Sequence, residues 1–430
     1  MSAQDFNSAH SGTSGNPDEE HQQGSEFAES PLSRGRADES SQARLIALIG
    51  VILALGYLVV LGGAYLDGHF LIDAERRPIA NDFVNVFAAG RLALDGNAAA
   101  AYDWPLHKAA EIRAVGHDFA NYYGWHYPPP FLFVAAALAT LPYLVAAIVW
   151  LFATLAAYAA TLGGILGGRA GVFFALGFPA ALWNATAGQN GFLTATLIGG
   201  TLALLERRPL LAGICLGLLT YKPQFGLLFP IVLIADRRWL TLAVAAVVAI
   251  GLAALSWLAF GSAAWEGFIH STPLTSRVVL GEGGADWERL QSLFGFVRAN
   301  GGGEALAWTV QTIGTLTLAT ALVVLWRSRV AYDLKAAALA TGALIATPYL
   351  YTYDLVVLAV AVAFLLRYAL ERGFSTAEIL GLPIAGALIL MFPYVKTQVG
   401  LAAVLIVMAL VAQRVLSDAH PLVPAKAATE

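Results

Sequence analysis

Apolar runs long enough to cross a hydrocarbon core of about 30 Å recur along this chain, and no other feature limits its fold so sharply. The first runs from Leu45 to Leu66. It is too long and lies too far in for the apolar core of a cleaved leader, so it reads as an anchor that stays. Of the 430 residues, 58% are hydrophobic and 13% charged, against about a quarter charged in soluble domains. Much of the chain therefore has no water to face. A net charge of −4 argues against a basic nucleic-acid binder. The one cysteine, Cys215, excludes an internal disulfide and a thiol–metal cluster, and it reads as a small buried hydrophobe.

The reading is an all-α polytopic membrane protein with about 12 transmembrane helices. They are drawn at 45–66, 143–165, 172–187, 190–205, 209–221, 223–235, 239–260, 306–326, 335–347, 354–368, 378–394 and 398–415. Residues 1–43 are rich in Ser, Gly, Glu and Gln and read as a disordered cytoplasmic tail. Residues 44–416 form the membrane domain, and 417–430 a second cytoplasmic tail. Arg34, Arg36 and Arg44 place the N-terminus inside, and the later arginine pairs share that side. Two outer loops follow, 67–130 and 261–304. In the first, Phe83, Val84, Phe87, Leu92 and Leu94 form a helical apolar stripe, read as an amphipathic helix lying at the membrane surface. A second such helix covers Leu106 to Val115. The 11-residue run from Phe131 to Leu141 is too short for a span and reads as a half-helix.

Polar groups at membrane depth are costly and carry a partner or a task. On this topology they gather at the outer side. Asp82 in Asn81-Asp82-Phe83 is either a helix N-cap or a general base at the water–lipid boundary. The segment from Tyr122 through His126 and Tyr127 to Pro130 is an interfacial anchor or an aromatic wall for a sugar. Gly188-Gln189-Asn190-Gly191 is a tight turn, or it offers amides to hydroxyls or a phosphate. Lys222 in Tyr221-Lys222-Pro223-Gln224 snorkels to the surface or meets a phosphate. Tyr353-Asp354 opens a helix where a carboxylate is favourable by itself, or supplies a second polar catalytic group. There is no Walker loop, no dinucleotide fingerprint and no clustered metal-ligand set.

Taken in order, Asp82-Phe83 with Ala88-Ala89-Gly90-Arg91, Tyr102-Asp103, Tyr127-Pro128-Pro129-Pro130-Phe131, Gly188-Gln189-Asn190-Gly191, Tyr221-Lys222-Pro223-Gln224 and Tyr353-Asp354 resemble the glycosyltransferases of family 87. These are polyprenyl-phosphate-mannose-dependent enzymes of the GT-C type. The resemblance implies transfer of a sugar from a lipid-phosphate donor to a lipid or glycan acceptor on the outer face of the cytoplasmic membrane, with inversion. It implies Asp82 as the base, no cofactor and no metal. Tyr127, His126, Gln189, Asn190, Lys222, Gln224, Arg289, Tyr353 and Asp354 are the substrate-binding candidates, with Lys222 or Arg289 against the phosphate. One departure stands out. Actinobacterial members that mannosylate phosphatidylinositol mannosides carry a histidine pair after the proline corresponding to Pro348, where this chain has Tyr351-Thr352-Tyr353-Asp354. A multi-pass transporter or lipid flippase is the competing class, since it also sets polar groups beside broken helices. A third is an assembly factor without chemistry.

Overall fold

The computed structural model describes residues 31–69, 72, 75–76, 81–284, 286–392 and 394–419, with 31–40 and 419 as backbone only. The described residues are mostly helical and hold no β-strand; an isolated bridge joins Leu290 and Tyr351.

Helix α1 (Pro31–Leu66) starts before the apolar run. Residues 1–30 of the expected tail lie outside the described residues, and 31–43 are helical. Once an apolar span has nucleated a helix, each added turn is cheap, and proline suits a first position. At the other end α18 (Val399–Ala419) passes the expected boundary at 416.

All twelve predicted segments contain helix, but they differ in reach. Among the described residues, six helices have the length and apolarity to cross a membrane: Ser41–Leu66, Tyr143–Leu166, Trp239–Gly281, Glu304–Arg327, Thr352–Arg372 and Val399–Asp418. A seventh arises if α6 (Gly168–Gly177) and α7 (Pro179–Ala187), bent by 59°, count as one. At 1.5 Å per residue, a helix of 10–17 residues reaches only about 15–25 Å. This is the case for α8 (Gly191–Leu204), α9 (Pro209–Leu218, continued by a 3-10 turn to Tyr221), the α10 (Pro223–Gly226) and α11 (Leu228–Ala235) pair, α15 (Tyr332–Ile345) and α17 (Thr376–Leu390). The short helices meet end to end at polar turns, Gly188–Asn190 and Lys222.

The long helices divide by environment. α1 is largely exposed, with Leu55, Leu58, Val59 and Val60 outward, the face a lipid-bathed helix presents. α16 (Leu358–Arg372) is buried nearly all round, so its uniformly apolar sequence packs against protein, chiefly α15 and α5 (Tyr143–Leu166).

The first loop departs from expectation. α2 (Phe83–Leu94) and α3 (Trp104–Val115) form where helices were read. α2 does not rest on a surface: from Phe83 to Leu92 every residue but Arg91 is buried. The apolar stripe packs Phe83 and Phe87 on Tyr143 of α5, with ring centroids 5.9 and 5.3 Å apart. Gly90 makes a second close face against α4 (Leu132–Ala139), where a Cβ would lie 2.0 Å from the Ala135 carbonyl. The second loop also differs. α12 (Trp239–Ser276) bends at Gly261, whose φ of 78° only glycine adopts freely, and continues as helix through residues expected in a loop. Beyond it Leu280, Leu290, Phe294 and Ala307 form a small core of their own, over which α13 (Leu293–Ala299) leads into α14 (Glu304–Arg327).

Candidate functional site

The end of the bundle at Gly188, Lys222 and Asp354 gathers most of the polar residues singled out in the sequence. Asp82 holds the N-cap position of α2, yet its side chain makes no capping hydrogen bond. Asn81 takes that task, its Oδ1 accepting from Phe83 N at 3.2 Å. The carboxylate turns instead to the neighbouring turn, where Gln189 Nε2 donates to Asp82 Oδ2 at 3.1 Å. The Tyr127 hydroxyl donates to Gln189 Oε1 at 3.2 Å, and Asn190 Nδ2 donates to that hydroxyl at 2.6 Å. Asn190, Tyr127 and Gln189 thus form a chain of donors that ends on the carboxylate.

Local rules place this chain. Gly188 caps α7 in the left-handed region at φ 66°, where glycine pays no steric penalty. Its carbonyl accepts from Trp150 Nε1 of α5 at 3.1 Å. Gly191 N donates to Asn184 Oδ1 at 2.8 Å. A Cβ at Gly191 would lie 2.3 Å from the Tyr353 carbonyl, so this turn and the 352–357 turn touch only because a glycine stands there.

A second group adjoins. Lys222 Nζ donates to Asp354 Oδ1 at 2.7 Å, and both side chains are buried. Asp354 Oδ2 also accepts from Tyr351 N at 3.4 Å, so the residue caps its own turn as well. Lys222 Nζ lies 5.2 Å from the centre of the Tyr353 ring, which stacks on Tyr351. Arg289 stands on a neighbouring 3-10 turn, mostly exposed, 3.5 Å from Asp286. Its strand bridge runs from Leu290 to Tyr351, with Gln291 N donating to Leu350 O at 2.6 Å.

Burial pushes the Asp82 carboxyl above its ordinary range. The Gln189 hydrogen bond and the fields of Arg289 and Lys222 pull it partly back. A carboxylate whose pKa is raised by burial and which is held by an amide is arranged to accept a proton.

Two candidates fall outside this constellation. The His126 ring lies 3.1 Å from Thr275 Oγ1 of α12, through Nδ1, and bonds to no member of the Asp82 group. Gln224 is half-buried in α10 and makes no hydrogen bond to the Lys222–Asp354 pair. Conversely, several residues that sequence reasoning passed over help build the site. Asn184 shapes the turn. Gln291, fully buried, accepts from Gly400 N through Oε1 at 2.7 Å and pins the Arg289 loop to the start of α18. No sequence signal marked either. Behind them, buried Glu111 of α3 accepts from Tyr123 N at 3.2 Å and lies 3.7 Å from both Lys108 and His107. Their i, i+3 and i, i+4 spacings were readable. Burial pushes Glu111 up to about 8 and His107 down to about 3. Among the described residues no group of three or more His, Cys, Asp or Glu is placed to hold a metal ion.

The model of glycosyltransferase family 87 matches residues 125–350, more than half of the 430. That span includes Tyr127, the Gln189–Asn190 turn, Lys222 and Arg289, while Asp82, Tyr353 and Asp354 lie outside it. No curated protein and no solved structure matches the chain. With a match of that extent over an apolar helical bundle, the chain belongs to glycosyltransferase family 87.

Proposed function

We propose that this glycosyltransferase moves a sugar, mannose by the family resemblance, from a polyprenyl-phosphate donor to an acceptor hydroxyl at the outer face of the cytoplasmic membrane. The single observation that carries the reading is the orientation of Asp82. A capping aspartate would turn its oxygens onto its own helix, and this one leaves that bond to Asn81 and meets Gln189 instead.

The reaction is a single displacement. The acceptor hydroxyl oxygen forms a bond to the anomeric carbon as the bond from that carbon to the phosphate oxygen breaks. The hydroxyl proton passes to Asp82, and the breaking bond's electron pair leaves on the phosphate. One displacement inverts the anomeric configuration. Arg289, exposed and within electrostatic reach of Asp82, stabilises the departing phosphate. Lys222 is neutralised by Asp354 and acts as the fixed partner that holds the Tyr353 turn in place. Tyr127, Gln189 and Asn190 orient the base and present donors to the sugar.

The orientation follows from charge. Arg367 and Arg414 lie at the end of the bundle opposite Lys222–Asp354, since α16 runs from one to the other. Basic ends face the cytoplasm, which supports the reading of both termini inside and Asp82 outside. The test is transfer from labelled polyprenyl-phosphate-mannose in membranes carrying Asp82→Asn. Loss of about 10²–10⁴-fold in turnover is expected for removal of a general base. Turnover equal to that of the native chain would end the assignment.

A further inference from the structure

An apolar groove of about 330 Å³ runs between α1 and α5 and ends at the Asp82 turn. Leu58 and Gly62 of α1 and Ile148 and Leu151 of α5 line it, together with Asn81 and Gly188. These last two are the neighbours of the base and of the glutamine that holds it. The volume lies in the range of small-molecule sites, roughly 300–1,000 Å³. No charged side chain lines the groove, and its α1 wall belongs to the exposed, lipid-facing helix. A neutral hydrocarbon chain entering sideways from a bilayer fits this chemistry, and an ionic or sugar moiety does not.

We infer that this groove holds the hydrocarbon chain of the acceptor, which makes the acceptor a lipid. This deepens the proposed function and rests on Asp82 being the base. In a single displacement the attacking and leaving oxygens stand on opposite sides of the anomeric carbon. The base touches the attacking one. A groove that ends beside Asp82 is therefore on the acceptor's side. The cation suited to the donor phosphate, Arg289, comes from a later element, and no described residue beyond Gly188 contributes to the groove. An amphiphile with its chain between α1 and α5 presents its headgroup hydroxyl at Asp82 without leaving the membrane.

The groove is tested by filling it. A Cβ at Gly62 meets nothing within 4 Å, so Gly62→Trp places an indole in the groove without moving backbone. Gly56→Trp is the control, also unobstructed on α1 but not lining the groove. The full-length chain is assayed with labelled polyprenyl-phosphate-mannose and vesicles made from the chloroform–methanol lipid extract of a strain lacking the protein. Gly62→Trp is expected to raise the KM for those vesicles about tenfold or more, the scale of a misfitting apolar pocket, with the donor KM unchanged. Gly56→Trp keeps both. In the deletion strain the species that lacks one sugar is expected in that lipid extract. A rise in donor KM instead assigns the groove to the donor's chain and overturns the inference. Unchanged KM values mean that the groove holds only bulk bilayer lipid, and also overturn it, as does loss of the sugar from lipid-free glycan. Failure of the base assignment reads out separately, as full turnover by Asp82→Asn.

Discussion

At one end of the bundle, Asp333 takes the guanidinium of Arg367 on both oxygens and Glu378 takes that of Arg414 in the same way. At the other end, Asp82 receives a single carboxamide, and the cations that act on it do so from a distance. A two-pronged Arg–carboxylate pair locks both groups ionised and fixes helix ends in register. A carboxylate facing an amide keeps a proton affinity that changes can reach. On the proposed assignment, stability and chemistry are divided between the two ends, with the single-bonded Lys222–Asp354 pair set beside Asp82.

The sharpest way to break this division is to neutralise one carboxylate at each end. Asp82→Asn is expected to cost about 10²–10⁴-fold in transfer while the unfolding midpoint in detergent stays level. Glu378→Gln leaves Arg414 without its partner and is expected to cost about 3 kcal/mol of stability, with turnover per folded molecule intact. The opposite pattern would erase the distinction. Next, Lys222→Met strands a buried carboxylate. The expected loss is about 3–5 kcal/mol, and Lys222→Met with Asp354→Leu recovers most of the lost unfolding midpoint. Third, Arg289→Ala removes an exposed side chain. Transfer falls on the order of 10²-fold with no shift in midpoint, and a matching loss of stability would make Arg289 a structural residue.

Two smaller effects are read through pH. As the proposed base, Asp82 must be ionised to act, so kcat/KM is expected to fall as pH drops through its raised pKa. Gln189 stabilises the ionised form. Gln189→Ala therefore moves that acid limb to higher pH, and an unmoved limb would detach Gln189 from the base. Glu111 rises from 4.5 to about 8 on folding. The folded state then binds the proton more tightly, so its contribution to stability is full below pH 4.5 and is lost as pH rises towards 8. Thermal midpoints across that window are expected to fall less in Glu111→Gln than in the native chain.

The helices were legible because an apolar run and a membrane helix carry the same information. Tyr143–Leu166 was read one residue short, and Glu304–Arg327 within two. Two misreadings share a cause. The stripe of α2 showed one buried face, but Gly90, which meets α4 on the second, gave no hydropathy signal for it. Likewise Gly261 followed by Ser, Trp and Glu looked like the start of a loop, because a bend and an end use the same residue. Polar residues were found by type, and their partners were not. Gln189 reaches Asp82 across 107 positions, and Lys222 reaches Asp354 across 132. His126 was of suitable type but bonds Thr275 of α12 instead.

The residues by themselves determined that this chain is a bundle of apolar helices broken by polar turns, because lipid leaves the backbone no partner but itself. Composition alone carries that constraint, and it needs no contact to be known. Whether Asp82 caps a helix or faces a glutamine depended on which of two adjacent residues, Asn81 or Asp82, meets the helix's free N–H groups. Local preference is nearly equal for the two. Only the packing of α2 against the Gly188 turn separated them, by putting a carboxamide within 3.1 Å of one and not the other.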